Sequence, residues 1–407
     1  MPELNWSGKK LAQTAPASLI KDSIVYPNGH GYREKNAENR LILGENLAVM
    51  VSLLPEYEGG VNMIYMDPPF FTNRKYPARI GRGEDSRKPA QWELGEGYGD
   101  HWADLDSYLD FLYQRLAVLY RLLSPNGTLY LHLDWHADSY ARLLLDEIFG
   151  ADHLLNEIIW TYHGPSPIRR AFNRKHDTIL AYVKGENYTF NADAVREPYN
   201  QNTVKTFNSS LKAGFGKVPD LERGKVPEDW WYFPVIARLH NERTGYPTQK
   251  PVALLERILL ASSNPGDRIA DFFCGSGTTP FVAEKHGRNY IACDEMLPAI
   301  HTTRSRLTAF QTPFSVEYDT RFKPPVLPAP KTTKAYLSED TINLETNLEL
   351  DYWEVDPDWD GITFKSAAQA KRPVRNGTIP CELKIKVGSN VCIRLVTAGN
   401  KQYQLNI

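Results

Sequence analysis

The feature that most constrains the fold is an alternation of short apolar segments with segments of helical periodicity. The apolar segments predict strands at residues 41–43, 61–66, 128–133, 178–183, 268–270 and 289–293. Helical spacing of apolar residues predicts helices at residues 46–54, 106–123, 251–262 and 279–286. Near-continuous apolar strands that alternate with helices are typical of a parallel sheet covered on both faces. The sequence therefore predicts an α/β fold with a doubly wound, mainly parallel sheet.

This alternation also predicts how the chain is divided. The expected parts are an N-terminal extension that is polar and irregular, two halves of the α/β domain with a region inserted between them, a Pro-rich linker and a small β-rich appendage. In chain order they are residues 1–34, 35–163, 164–246 (the insertion), 247–322, 323–335 and 336–407. The net charge of −2 argues against a protein coated in positive charge, but residues 160–250 hold fourteen Lys and Arg against nine Asp and Glu, a local charge of +5.

Composition also excludes some classes of protein. No apolar run reaches the ~18 residues of a membrane span, and the N-terminus lacks the basic-then-apolar pattern of a signal peptide. We therefore expect a cytoplasmic protein with no membrane partner. The four cysteines, Cys274, Cys293, Cys381 and Cys392, form no C-x-x-C pair and no zinc-type spacing with histidine, so reduced and mostly buried thiols are expected. Cys381, although it follows a proline, is predicted to be a core residue.

A glycine-containing loop lies directly between a predicted strand and a predicted helix, at residues 271–279. Gly275 and Gly277 would let the backbone approach a ligand closely, and the helix N-terminus offers free N–H groups to an anion. Asp294 and Glu295 close the next strand, where a carboxylate can accept hydrogen bonds from ribose hydroxyls. Pro280 replaces the third glycine of a dinucleotide fingerprint, which disfavours a nicotinamide cofactor.

A second motif, Asp67-Pro68-Pro69-Phe70, follows the strand at residues 61–66. The two prolines supply carbonyl acceptors without N–H donors, Asp67 adds a carboxylate, and Phe70 adds a flat ring. Such a group can accept hydrogen bonds from an exocyclic amine and stack on the base that carries it. An ordinary turn at the end of a strand is the alternative. Because ligands bind at strand ends in open parallel sheets, the two motifs together are more specific than either alone.

With these motifs in order, the chain resembles the AdoMet-dependent amino-group DNA methyltransferases. The resemblance is to the circularly ordered β-type subgroup, in which the catalytic motif precedes the cofactor motif. The matching segments are residues 44–46, 67–70, 128–134, 160 with 173–182, 248–251 and 271–278. They extend over residues 41–307, about two thirds of the chain. The resemblance implies the Rossmann-like fold of class I methyltransferases.

The resemblance also implies site residues, a cofactor and the type of reaction. Asp67, Pro68, Pro69 and Phe70 would hold and stack the target base. The cofactor, S-adenosyl-L-methionine, would contact residues from both halves of the domain: Glu45, Asn46, Asp67, Lys250, Asp271, Phe273, Cys274, Gly275, Ser276, Gly277, Thr278, Asp294 and Glu295. Transfer would be direct and in line, so neither a covalent enzyme intermediate nor a metal is expected. His132 and His136, which flank Asp134, are predicted to be structural.

The expected substrate is adenine N6 in double-stranded DNA, because the motif begins with Asp rather than the Ser usual in the cytosine enzymes. N4 of cytosine is the alternative, and a non-catalytic DNA-binding specificity subunit is a further one. The predicted DNA contacts are Arg74, Lys75, Trp160, Tyr162, Arg169, Arg170, Arg174 and Lys175. The aromatic residues could instead belong to the core, and the cations to a solvated surface. A restriction-modification role, a homodimer and a restriction-endonuclease partner are compatible with the resemblance, and Trp230 with Trp231 is expected to be a core pair.

Overall fold

The computed structural model describes residues 3–11, 13–80, 93–166, 168–209, 219–237, 240–373 and 378–407. Its helices are α1 Asn46–Tyr57, α2 Leu105–Leu122, α3 Asp138–Phe149, α4 Gln201–Ser209, α5 Val252–Ser262, α6 Thr278–Lys285 and α7 Leu297–Leu307. Its first twelve strands are β1 Leu19–Val25, β2 Asn39–Leu43, β3 Val61–Met66, β4 Arg74–Ile80, β5 Glu93–Asp100, β6 Leu123–Leu133, β7 Leu154–Thr161, β8 His176–Val183, β9 Trp230–Tyr232, β10 Arg268–Asp271, β11 Asn289–Asp294 and β12 Phe314–Asp319. The remaining strands are β13 Val326–Pro328, β14 Lys334–Ser338, β15 Thr341–Glu345, β16 Leu350–Asp356, β17 Phe364–Ser366, β18 Ala368–Lys371, β19 Glu382–Lys384, β20 Cys392–Thr397 and β21 Gln402–Asn406.

An eleven-stranded sheet organises the molecule, with the strand order β17-β1-β12-β2-β11-β10-β3-β6-β8-β7-β9. The strands from β12 to β6 are parallel to their neighbours. Antiparallel pairing occurs where β8 joins β6 and β7, and where β1 joins β12. The predicted α/β fold with a mainly parallel sheet is confirmed.

Helices cover the central sheet on both faces, because its strands are apolar on both sides. Along β3, Ile64 packs in the core formed with α1, α2 and α3, while Met63 and Tyr65 pack in the core formed with α5. The α2 helix buries Leu109, Leu112, Leu116 and Leu119 at the predicted three- and four-residue spacing. Asp104 begins this helix, accepting a hydrogen bond from the Ser107 N–H at 2.9 Å.

Strands form at both ends of the chain. The N-terminal extension, predicted to be irregular, contains β1, which pairs with β12 on one side and with β17 on the other. The Pro-rich linker contains β13, which pairs with β21. The β-rich appendage has its own core around Trp353 and also contributes β17 to the central sheet. The sequence analysis missed β1 and β13 because their partner strands lie far away in sequence.

Several local expectations differ from the structure. The inserted region contains β8, an internal strand of the central sheet, and β9, its last strand. Trp230 was expected in a core pair, but it is 62% exposed because it lies on this edge strand, and Trp231 is half-buried. Cys381 was predicted to be buried and is exposed, since it directly precedes the edge strand β19. Within the residues described above, no helix combines the length and the apolar character of a membrane span.

Candidate active site

The two sequence motifs meet at one edge of the central sheet. The strands β3, β10 and β11 are parallel neighbours, and Asp67, Asp271 and Asp294 lie at their carboxyl ends. A cavity of about 440 Å³ opens there. Most predicted site residues line this cavity: Asn46, Asp67, Pro68, Pro69, Phe70, Trp160, Tyr162, Lys250, Asp271, Phe273, Cys274, Gly275, Ser276, Thr278, Asp294 and Glu295. The order of the elements along the chain thus brings both motifs to one pocket.

Asp67 offers one carboxylate oxygen to this cavity. Its Oδ2 atom accepts a hydrogen bond from the Lys250 ammonium, which lies 5.5 Å from the centre of the Phe70 ring. Its Oδ1 atom is buried and has no hydrogen-bond partner among the described residues. A buried acceptor without a donor is costly, so this atom is a candidate binding position for an N–H group of a ligand.

The segment after Asp67 is held in its conformation by Asp100, which the sequence analysis missed. Phe71 has a left-handed backbone, with φ of 64°, a conformation that is unfavourable for a residue with a side chain. The buried Asp100 carboxylate accepts hydrogen bonds from the Phe71 N–H at 3.0 Å, from the Thr72 N–H and hydroxyl at 2.6 Å each, and from the Trp102 indole at 2.7 Å. These four bonds stabilise the turn that places Phe70.

A buried network lies behind the Phe70 ring. Phe70 stacks on His132 with ring centres 5.8 Å apart, and His132 is fully buried. The Tyr65 hydroxyl lies 2.7 Å from His132 Nδ1, and His132 Nε2 lies 3.2 Å from Asp177. Burial acts to raise the pKa of Asp177, but hydrogen bonds from His132 and Tyr162 and the charge of Lys250 outweigh it and lower that pKa. His132 therefore supports the ring and orders the wall of the cavity.

His136 bonds locally to Asp134, at 2.9 Å from its carboxylate. In the part of the chain that the structure describes, we find no cluster of three or more His, Cys, Asp or Glu residues arranged to hold a metal ion.

The two glycines of the loop have left-handed backbone conformations. Gly275 and Gly277 have φ of +48° and +74°, values that favour glycine. A Cβ atom at Gly277 would lie 2.4 Å from Thr303 Oγ1, and one at Gly275 would lie 3.2 Å from the Tyr246 ring. Gly277 precedes α6 and does not itself line the cavity. The loop is therefore packed from behind, and its open side faces the cavity.

Two buried carboxylates hold this loop through its backbone. Asp271 accepts hydrogen bonds from the Phe273 N–H at 3.0 Å and the Thr279 hydroxyl at 2.5 Å. Asp294 accepts from the N–H groups of Gly275 and Met296, both at 2.9 Å. Burial raises the pKa of Asp271 to about 7 and that of Asp294 to about 6. Both oxygens of each carboxylate are bonded, so Asp271 and Asp294 position the loop. The neighbouring Glu295 is exposed at the cavity.

A further part of the cavity wall is organised by Arg115, a second residue that the sequence analysis missed. Its guanidinium donates to Glu45 Oε1 at 2.5 Å and to Asn46 Oδ1 at 2.7 Å. Glu45 also accepts from the first backbone N–H groups of α1 and does not line the cavity, whereas Asn46 does. Burial lowers the pKa of Arg115 to about 10. The available signal was an arginine one helical turn after Leu112 on the apolar face of α2.

Only two of the predicted DNA contacts line the cavity, Trp160 and Tyr162. Trp160 is 3% exposed and donates to the Phe233 carbonyl at 2.9 Å. The loop between β7 and β8 carries Arg169, Arg170 and Arg174, which are exposed, and Lys175, which is half-buried; Arg74 and Lys75 are exposed on β4. The segment after Phe70 also contains Arg82, Arg87 and Lys88, a candidate DNA-contacting stretch from its charge, but these positions lie outside the described residues.

The family model described as DNA methylase, of the N6/N4 type, matches residues 61–304. The chain is 30% identical over 273 residues to the type II methyltransferase M.HpaI of Haemophilus parainfluenzae, covering 66% of this chain and 74% of that protein. It is 31% identical over 263 residues to the DNA adenine methyltransferase YhdJ of Escherichia coli strain K12, covering 64% and 79%. The solved structure of the cytosine-N4-specific PvuII DNA methyltransferase matches with a TM-score of 0.46 and 15% identity, over 67% of this chain and 87% of that one.

Proposed function

The chain belongs to the DNA methylase family of the N6/N4 type, and from that premise we propose that it transfers a methyl group from S-adenosyl-L-methionine to N6 of adenine in double-stranded DNA. One observation carries the proposal. Asp67 Oδ1 is buried without a partner in the described structure, in the same cavity as the glycine loop. The proposed sites for the amine and for the nucleotide-like cofactor thus share one cavity.

The residues of the cavity fit the proposed cofactor. Its lining includes Asp67, Asp294 and Glu295, and carboxylates favour a ligand that carries a sulfonium and an ammonium group. Gly275 lines the cavity with a left-handed backbone, so the loop presents backbone to a ligand there without a side chain. Glu295 is exposed and would accept hydrogen bonds from the ribose, while Lys250 would sit near the methionine carboxylate. When bound, the cofactor supplies an electrophilic methyl group.

The target amine is proposed to bind at the Asp67 motif. Asp67 Oδ1 and the Pro68 carbonyl would accept its two hydrogens, and the Lys250 contact at Oδ2 would remain in place. No hydrogen bond in the described part of the chain occupies the Pro68 carbonyl, whereas the Pro69 carbonyl accepts from the Tyr108 hydroxyl at 2.8 Å. These acceptors would orient the nitrogen lone pair toward the methyl group, and Phe70 would stack on the extruded base.

Adenine is proposed rather than cytosine for two reasons. The motif begins with Asp67, and YhdJ, a relative that matches over 79% of its length, is named as a DNA adenine methyltransferase. We further propose that the enzyme is site-specific and of the restriction-modification type, in keeping with its similarity to the type II methyltransferase M.HpaI. Sequencing of methylated positions in the DNA of the host would give the target sequence.

The deciding experiment combines a transfer assay with one variant. The protein is incubated with labelled S-adenosyl-L-methionine and plasmid DNA, and the digested nucleosides are analysed by mass spectrometry. We expect N6-methyladenine from the wild type and none from Asp67→Ala, with an unchanged melting temperature showing that the variant is folded. Asp152→Ala, at an exposed acidic position, serves as the matched control. N4-methylcytosine would overturn the adenine assignment, and an active Asp67→Ala variant would overturn the site.

A further inference from the structure

Phe172 is the most exposed of the large apolar side chains in the described residues, with 98% of its surface accessible to solvent. It lies in the loop between β7 and β8. Single exposed apolar residues are common on protein surfaces, but nearly complete exposure of an aromatic ring leaves its hydrophobic surface wholly in water. The side chain contributes nothing to the core, and its exposed position leaves the whole ring available for contact with a binding partner.

The surroundings of Phe172 indicate the chemistry of that partner. Arg169, Arg170 and Arg174 flank it and are exposed, and Lys175 follows. The Arg174 guanidinium lies 4.1 Å from the ring centre of Trp135, which is itself 45% exposed. Cations neutralise phosphates, and flat rings stack on bases. This combination fits a nucleic acid, whose phosphates would neutralise the cations, better than a second copy of the chain, which would bring the same cations against them.

The loop is closed at its base and connected to the candidate active site. The Tyr162 N–H donates to the Lys175 carbonyl at 3.0 Å, and the Lys175 ammonium donates to the Pro165 carbonyl at 2.9 Å. Tyr162 and Asp177, which flank the loop on either side, line the cavity. A duplex held by the loop would therefore lie next to the pocket that is proposed to receive the extruded base.

We propose that Phe172 is a wedge that inserts into the base stack of duplex DNA at the position that the target base vacates. The inference rests on the proposed function and goes beyond it, because it assigns a residue to the extrusion of the base rather than to its capture. Extrusion loses the stacking of the target base on its neighbours. An inserted ring replaces part of that stacking, as apolar wedges do in proteins that unstack and kink DNA. The flanking cations would hold the two backbones while the ring enters.

The test uses substrates that differ in the cost of extrusion. Methyl transfer is measured on a short duplex that contains the target site, and on the same duplex with an abasic position opposite the target adenine, where extrusion is less costly. Phe172→Ala is expected to lower kcat/KM by about 10- to 100-fold on the normal duplex. On the abasic duplex the kcat/KM of Phe172→Ala should lie within about threefold of the wild-type value. Phe172→Trp should retain activity on both duplexes.

Control variants distinguish a wedge from a general loss of folding and from a contact between copies of the chain. Phe190→Ala, at a partly exposed phenylalanine outside the loop, should leave both rates unchanged, and equal melting temperatures would show that each variant is folded. An equal loss on both duplexes, or no loss on either, would overturn the wedge. Loss of a dimer in sedimentation of Phe172→Ala would overturn it in favour of a contact between copies. A wild type inactive on every duplex would instead overturn the proposed function, and this inference with it.

Discussion

Replacing Gly277 by alanine should destabilise the protein and weaken cofactor binding. Two physical effects contribute to the loss of stability. The backbone φ of +74° is unfavourable for alanine, which costs about 1–2 kcal/mol. The new Cβ atom would lie 2.4 Å from Thr303 Oγ1 and 2.6 Å from its Cγ2. Thr303 is fully buried, so the neighbour cannot move into solvent. Overpacking of this kind adds about 1–3 kcal/mol, for a total of about 2–5 kcal/mol.

Gly287 provides a matched control for this variant. Its φ is +69°, but nothing lies within 4 Å of the position of its Cβ. Gly287→Ala should therefore lower the free energy of unfolding only by the cost of the backbone conformation, about 1–2 kcal/mol. The expected difference arises from Thr303, whose hydroxyl also donates to the Gly275 carbonyl at 3.2 Å. Displacement of Thr303 would thus disturb the loop that faces the cavity.

Urea unfolding and titration calorimetry would measure both consequences. The free energy of unfolding of Gly277→Ala should fall below that of Gly287→Ala by about 1–3 kcal/mol. The affinity for S-adenosyl-L-methionine should fall about tenfold or more in Gly277→Ala and stay unchanged in Gly287→Ala. If the two variants unfolded within about 0.5 kcal/mol of each other and bound the cofactor equally, the reasoning from the close approach to Thr303 would be refuted.

Three further predictions concern buried polar groups. Asp100→Asn should lower kcat about 100-fold with cofactor affinity unchanged, because the hydrogen bonds of Asp100 hold the turn that places Phe70. Steady-state kinetics and calorimetry would measure both quantities, and an unchanged kcat would contradict the prediction. Burial raises the pKa of Asp271 to about 7, so the folded state binds more protons than the unfolded state, and the contribution of this group to stability falls as pH rises from about 4 to 7. Urea unfolding across that range should show a flatter dependence in Asp271→Asn, and an identical slope would refute it. Arg115→Lys should weaken cofactor binding about tenfold, since one ammonium cannot replace both bonds to Glu45 and Asn46; equal affinity by calorimetry would exclude this role.

The centre of the fold could be predicted because its signals are local. The strands β3 and β11 are apolar runs followed by Asp67 and ending at Asp294, and the helix α2 shows its spacing within one segment. The pairing of β1 with β12 and β17 has no such local signal, because each partner lies some three hundred residues away. Periodicity reports the face of an element that is buried and does not identify its neighbour in the sheet.

The same distinction applies to the candidate site. The Asp67 motif and the glycine loop are contiguous in sequence, so their chemistry could be inferred from residue types and order. Asp100 and Arg115 support residues that lie 28 or more positions away, and nothing in their immediate neighbours identifies those partners. Residues that position a site through long-range hydrogen bonds become visible only when the chain is folded.

The place of β1 in the central sheet has a consequence for how the protein is made. Ser23 leaves the ribosome long before Phe364, which lies opposite it in the sheet, has been synthesised. Until then the outer side of β1 presents unpaired backbone groups, which attract other strands and favour aggregation. We therefore expect that the nascent chain needs protection over this interval. A premature stop codon shortly before position 364 would yield a product that retains the Asp67 motif and the glycine loop but leaves the outer side of β1 unpaired.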